Sequence, residues 1–108
     1  MRCWHYARDK ATEIGVQLPE LPDGADPAAA YADQEATGRW VAVTERDLRP
    51  GDVVAMRLPR AALHVGVVVF AASRPSESLV AHLTDDGERR DRLRSLRPFL
   101  RGIWRWRG

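Results

Sequence analysis

The sequence predicts a single α+β domain in which helices come first and an antiparallel sheet follows. Apolar residues recur at helical spacing near the N-terminus, and from Asp52 onward they recur with the two-residue period of strands. Turn signals separate the strand-like runs, and 108 residues are enough for one hydrophobic core. We therefore expect N-terminal helices packed on a sheet of about four to five strands, in one domain over residues 1–108.

Two helices are predicted in the first third of the chain. The first runs over Cys3–Ile14, because its apolar residues share one helical face and Gly15 follows as a stop signal. The proline-containing segment 16–24 is expected to be an extended loop. Asp26-Pro27 then has the pattern of an N-cap with proline in the first turn, which predicts a second helix to Thr37.

Three strands are predicted in the middle of the chain: Asp52–Leu58, His64–Ala72 and Leu79–Leu83. Before them, residues 40–43 are short and extended, and 44–48 resemble a capped helical turn. The second strand is almost unbroken valine, which is typical of a central strand. Residues 59–63 and 73–78 are expected to form the connecting turns.

The C-terminal part begins with the tight-turn signature Asp85-Asp86-Gly87. Segment 92–100 is predicted to be either a short helix or an irregular connection. Alternation in Ile103–Arg107 predicts an edge strand with Trp104 and Trp106 on one face.

Composition excludes several classes of protein. No run approaches the roughly 18 apolar residues that cross a bilayer, and the N-terminus has no apolar run typical of a signal peptide. We therefore expect a chain that is made in the cytoplasm and does not insert into membranes. Cys3 is the single cysteine, so no internal disulfide forms and no zinc-site spacing exists.

Positive charge is concentrated at the C-terminal end. From Gly87 onward eight arginines oppose two acidic residues, which gives +6, and the remainder of the chain carries −4. A basic, tryptophan-containing tail can track a nucleic-acid backbone, whereas a solvated helix face and an arginine-rich outer strand face would look the same in sequence. We favour the second interpretation and expect no nucleic-acid partner.

Cys3 and His64 are the candidate catalytic pair. A thiol at the positive end of a helix, met by an imidazole on a rigid strand, is how a cysteine hydrolase activates its nucleophile. Alternation puts His64, Gly66 and Val68 on one strand face, and we expect the first helix to pack against that face because Gly66 has no side chain. The alternatives are a buried structural cysteine and a strand-end histidine that is hydrogen-bonded for packing.

His82 is the candidate third residue of this site, because a base needs a partner that fixes its tautomer. The alternative is a surface histidine. His5 is expected to be exposed, and no third ligand stands at a spacing that would make a metal site. Turn and surface roles explain the nearby acidic residues, which are Asp85, Asp86 and Asp91.

Three motifs together resemble the NlpC-type cell-wall cysteine peptidases, most closely the branch carried by phage tails. They are Cys3-Trp4 opening a helix, Leu48–Val54 leading into a strand, and His64–Val69 after a turn. A Trp/Arg-rich end similar to Gly102–Arg107 is also found there, so the resemblance covers nearly the whole chain.

The resemblance implies a papain-like fold and cleavage of peptide stems of bacterial peptidoglycan, typically between D-glutamate and diaminopimelate. Cys3 would be the nucleophile that forms a thioacyl-enzyme, His64 the general base and His82 the residue that orients it. No metal or organic cofactor is implied. The partners would be peptidoglycan stem peptides and phage tail proteins, with the protein carried on the tail and acting on the host cell wall.

Three departures from the family pattern bear on activity. Arg2 stands where the family commonly has an aspartate, and Trp4-His5-Tyr6 follows the cysteine where the family has Ser or Trp with Gly-Leu. Arg2 and Trp4 are the expected substrate-binding residues. The family also has an upstream segment, and we expect this chain to lack it because only two residues precede Cys3. The alternative to an active peptidase is therefore a catalytically weakened structural tail module with the same fold.

Overall fold

A computed structural model describes residues 2–22, 26–59 and 63–108, and within these ranges it contains three α-helices and six strands. The helices are α1 (Arg2–Glu13), α2 (Pro27–Ala36) and α3 (Leu93–Leu96). The strands are β1 (Trp40–Ala42), β2 (Val53–Met56), β3 (His64–Phe70), β4 (Leu79–Thr84), β5 (Gly87–Arg92) and β6 (Leu100–Trp106). The α+β prediction is confirmed. Parts of the predicted loop 16–24 and turn 59–63 lie outside the described residues.

The strands form one open antiparallel sheet in the order β1-β6-β2-β3-β4-β5. The valine-rich β3 lies inside the sheet, as predicted. The prediction that the C-terminal strand is an edge strand is wrong, because β6 pairs with β2 on one side and with β1 on the other. Trp104 and Trp106 do share a face: Trp106 packs at 5.0 Å from the Trp40 ring, and Trp104 lines a cavity together with Trp40.

The sheet has six strands where four to five were expected, and the strand that the sequence did not predict is β5. Its residues are Gly-Glu-Arg-Arg-Asp-Arg, which are polar and contain no β-branched side chain. The two residues Asp85 and Asp86 form the turn, so that Thr84 pairs with Gly87 and the hairpin continues to Leu79 opposite Arg92. The hairpin turn and backbone pairing, rather than apolar alternation, define this strand.

Two apolar clusters cover the two faces of the sheet. One joins α1 to the first face, and its buried members are Trp4, Ala7, Ala11, Leu18, Val53, Val65, Val67 and Ala81. The other covers the second face, and its buried members are Val54, Met56, Val68, Val80, Leu93, Leu96 and Ile103. Neighbouring residues of β2, β3 and β4 alternate between the two clusters, as the pleat of a strand requires.

The expected docking of the first helix is wrong. α1 packs on the face of Val65 and Val67, not on the face of His64, Gly66 and Val68. Valine side chains offer α1 more apolar surface than a face that carries a histidine and a glycine.

The space beside Gly66 is occupied by β4 instead of by a helix. A Cβ added to Gly66 would lie 2.8 Å from Val80 Cγ1 and 3.1 Å from His82 Cβ. The glycine therefore permits a close approach of two strands, and this approach places the two histidines beside each other.

The ends of the first two helices follow the predicted signals. Gly15 after α1 has a φ of 87°, and Asp26 accepts a hydrogen bond from the Ala29 backbone N–H at the start of α2. Across the described residues, no helix is long and apolar enough to cross a membrane.

Candidate functional site

His64 and His82 form a buried pair on neighbouring strands. His64 is the first residue of β3, and His82 pairs with Gly66 across the β3–β4 ladder. The His64 Nε2 and His82 Nδ1 atoms are 2.8 Å apart, and the rings meet edge to face. The residues are 6% and 3% exposed, so the alternative of a surface histidine is wrong for His82.

His82 continues this contact to a carboxylate on β5. Its Nε2–H donates to Asp91 Oδ2 over 2.8 Å. Arg89 then donates through Nε to the same oxygen at 3.1 Å and through its terminal nitrogen to Oδ1 at 3.0 Å. Arg89, Asp91, His82 and His64 are thus linked in one hydrogen-bonded series, which we call the histidine chain.

Asp91 is the functional candidate that the sequence interpretation missed. A surface role was expected for it, yet its side chain is only 19% exposed and accepts the bond from His82. The signal that identifies it is the register of the hairpin. Backbone pairing from the turn at Asp85 and Asp86 places Val80 opposite Asp91. Val80 and His82 are two residues apart on β4, so their side chains share a face, and Asp91 lies on that same face.

The electrostatic surroundings keep His64 neutral at pH 7. Burial and, to a smaller extent, the neighbouring His82 lower the pKa of His64 from the ordinary 6.5 to about 4, with Asp85 opposing both. The hydrogen bond from Arg89 lowers the pKa of Asp91, against the effect of burial, so Asp91 is a carboxylate. The histidine chain therefore joins the carboxylate of Asp91 at one end to the uncharged imidazole of His64 at the other.

One ring nitrogen of His64 is left for chemistry. Its hydrogen bond to His82 uses Nε2, and every buried side-chain nitrogen or oxygen of the described residues has a hydrogen-bond partner. Nδ1 of His64 is not used by this bond. His64 lines a cavity of about 420 Å³ whose other described residues are Leu58, Pro59, Leu83, Thr84, Asp85 and Asp86.

Cys3 lies at the start of α1, partly buried, against the apolar cluster of the first sheet face. The next residue, Trp4, lines a second cavity together with Leu63 and Val65, which flank His64 in the chain. The beginning of α1 is therefore near the beginning of β3, but Cys3 lies on the α1 face of the sheet, whereas His64 pairs with Met56 and shares the opposite face with Val68. No hydrogen bond joins Cys3 to His64, both of which are described residues.

The two expected substrate-binding residues have different surroundings. Arg2 is exposed. Trp4 is 4% exposed, donates its indole N–H to the Pro19 carbonyl at 3.0 Å and packs edge-on against Trp40. Trp4 thus holds the loop after α1 to the core, and contact of either side chain with substrate stays a prediction. His5 is exposed, as predicted.

Among the residues that the structure describes, no group of three or more His, Cys, Asp or Glu side chains is arranged to hold a metal ion.

Comparisons of the chain with protein-family models, with curated proteins and with solved structures found no match. The resemblance to NlpC-type peptidases therefore rests on the motifs of this sequence.

Proposed function

We propose that this chain is a papain-like cysteine hydrolase of the NlpC type that cleaves peptide stems of bacterial peptidoglycan. The observation that carries the proposal is the 2.8 Å bond between His64 Nε2 and His82 Nδ1. A buried histidine that is held by a second polar residue through one nitrogen, with the other nitrogen open, is the arrangement of an oriented general base.

The reaction begins with proton transfer from Cys3 to the open nitrogen of His64. The thiolate sulfur attacks the amide carbonyl, and the backbone N–H groups at the start of α1 can stabilise the oxyanion. The imidazolium then gives its proton to the leaving amine as the C–N bond breaks. Water attacks the thioester with His64 as base, which releases the acid and restores the thiol.

The lowered pKa of His64 determines when the proton moves. Because His64 is neutral at pH 7, it carries no positive charge that would hold a resting thiolate. General-base transfer during attack fits this site better than a preformed thiolate–imidazolium pair.

Cys3 packs on the α1 face of the sheet, whereas His64 pairs with Met56 and shares the opposite face with Val68. The mechanism therefore requires the start of α1 to move around the end of β3, so that Cys3 reaches the His64 side of the sheet when substrate binds. The position of Trp4 beside Leu63 and Val65 puts the start of α1 within the same neighbourhood.

The second candidate is a structural module of the same fold, assembled into a phage tail without activity. The observation that favours it is the position of Cys3 and His64 on opposite faces of the sheet, with no hydrogen bond between them. Under both candidates the protein would be carried on a phage tail. As a hydrolase, the protein would act on the host cell wall.

Digestion of purified peptidoglycan, with the released fragments identified by mass spectrometry, tests the proposal. The wild-type chain should release stem-peptide fragments, and Cys3→Ala and His64→Ala should abolish this release. His5→Ala is the matched control, an exposed histidine two positions from Cys3 that should keep activity. Persistent cleavage by folded Cys3→Ala would refute the nucleophile, and an inactive, folded wild-type chain would favour the structural module.

A further inference from the structure

We infer that Asp91 is a positioning residue for His64, which acts through His82 to decide which nitrogen of His64 carries the proton. The catalytic consequence rests on the proposed function, whereas the proton arrangement itself rests only on the histidine chain.

The β4–β5 hairpin supplies the geometry. Val80 pairs with Asp91 and His82 pairs with Arg89 across the ladder. Alternation puts all four side chains on the face opposite α1, where Val80 belongs to the second apolar cluster. Asp91 therefore reaches His82 diagonally and meets Nε2 at 2.8 Å.

The direction of the hydrogen bonds follows from what each group can do. An ionised carboxylate only accepts, so the proton between Asp91 and His82 belongs to His82 Nε2. In neutral His82 the other nitrogen, Nδ1, is then an acceptor. With His82 neutral, His64 donates to this acceptor through Nε2–H, which leaves the Nδ1 lone pair of His64 free to accept a proton.

Arg89 holds Asp91 in place for this role. It donates to both carboxylate oxygens, at 3.1 and 3.0 Å, which fixes the plane of the carboxylate. These two bonds favour the carboxylate orientation that meets His82, although the Arg89 side chain is itself 58% exposed. In metal-binding histidine sites, a carboxylate that accepts the bond from the other ring nitrogen likewise fixes the tautomer and the orientation of the ring.

The test is ¹⁵N NMR of the full chain with labelled histidine, recorded at pH 7 alongside peptidoglycan cleavage. In the wild type, His64 and His82 should both show the Nε2–H tautomer. Asp91→Ala should give a mixture of tautomers for both rings and should lower kcat roughly ten- to hundredfold with KM unchanged. Asp91→Asn, which keeps the size of the side chain, and Arg89→Gln, which shortens it and removes the charge, should show smaller shifts in the same direction.

Glu88→Gln is the matched control. Glu88 lies on the same strand but alternates to the other face, where it interacts with Tyr6. It should leave both tautomers unchanged. If Asp91→Ala does not fold, the tautomers and cleavage rates of Asp91→Asn and Arg89→Gln are measured instead.

Two results would overturn the inference: an Nδ1–H tautomer of His64 in the wild type, or tautomers that do not respond to any of the Asp91 and Arg89 variants. If the tautomers shift as expected but the wild type cleaves no peptidoglycan, the proposed function fails and the proton arrangement stands.

Discussion

Gly66 of β3 lies directly opposite His82 of β4, and the missing side chain of Gly66 provides the space in which the His82 side chain sits. A Cβ at residue 66 would also meet the Ala81 carbonyl oxygen at 2.9 Å, which is backbone and cannot turn aside. The close approach of these two strands therefore sets the position of the second histidine.

Gly66→Ala should consequently disturb both stability and the site. Overpacking of this kind costs about 1–3 kcal/mol of unfolding free energy, because β3 and β4 must separate. The His64–His82 bond should lengthen and the ¹⁵N shifts of both rings should change. Urea unfolding and histidine NMR measure the two effects. If the variant keeps wild-type stability and unchanged ring shifts, then β3 and β4 accommodate the added methyl group without loss of unfolding free energy, and the prediction is wrong.

Asp52 ties β6 to the entry of β2 and provides a second prediction. It is 1% exposed, accepts from Arg105 Nε at 2.8 Å and from another Arg105 nitrogen at 2.9 Å, and also accepts from the Arg49 backbone N–H. Asp52→Ala leaves these donors without their acceptor and should cost about 3 kcal/mol of unfolding free energy.

The control for this prediction is Asp47→Ala. Arg105 contacts Asp47 through the backbone carbonyl, which the substitution retains. Thermal or urea unfolding should therefore show a loss for Asp52→Ala that is several times the loss for Asp47→Ala. Equal losses of unfolding free energy for the two variants would mean that the bonds from Arg105 to the buried Asp52 carboxylate do not stabilise the fold.

Periodicity predicted most of the elements because local patterns encode them. The apolar face of α1 and the valines of β3 are readable from the residues themselves. The docking face of α1 was not readable in the same way. Alternation divides β3 into two faces but does not say which one a helix will cover, and the glycine that suggested a helix contact serves a strand contact instead.

Asp91 was missed for a different physical reason. β5 is polar along its length, so apolar periodicity gives no sign of it. The histidine chain depends on cross-strand register, which the turn at Asp85 and Asp86 fixes. Extending that turn by backbone pairing would have placed Asp91 beside His82. The orientation of Cys3 depends on how α1 docks, and no local pattern contains it.

The lowered pKa of His64 predicts acid sensitivity of the fold. Below pH 6.5 the unfolded chain binds a proton that the folded chain does not bind until pH falls to about 4. Stability is therefore fully present above pH 6.5 and is lost as pH falls toward 4, by on the order of 3 kcal/mol.

Comparison with His64→Gln isolates this contribution. Urea unfolding at pH 7 and at pH 4.5 should show a larger acid loss for the wild type than for the variant, because all other titrating groups are shared. A variant that loses as much stability as the wild type would contradict the lowered pKa of His64.

The same pKa predicts the acid side of the rate profile if His64 is the proposed base. Only neutral His64 accepts a proton, so kcat/KM for stem-peptide cleavage should hold down to pH values well below 6.5 and fall near pH 4. Asp85 opposes the lowering of this pKa, so Asp85→Asn should move the fall to still lower pH. Initial rates on a soluble stem peptide, measured over a pH range in which circular dichroism shows the fold intact, provide the profile. An acid limb at pH 6.5 that Asp85→Asn leaves in place would point to another group as the base.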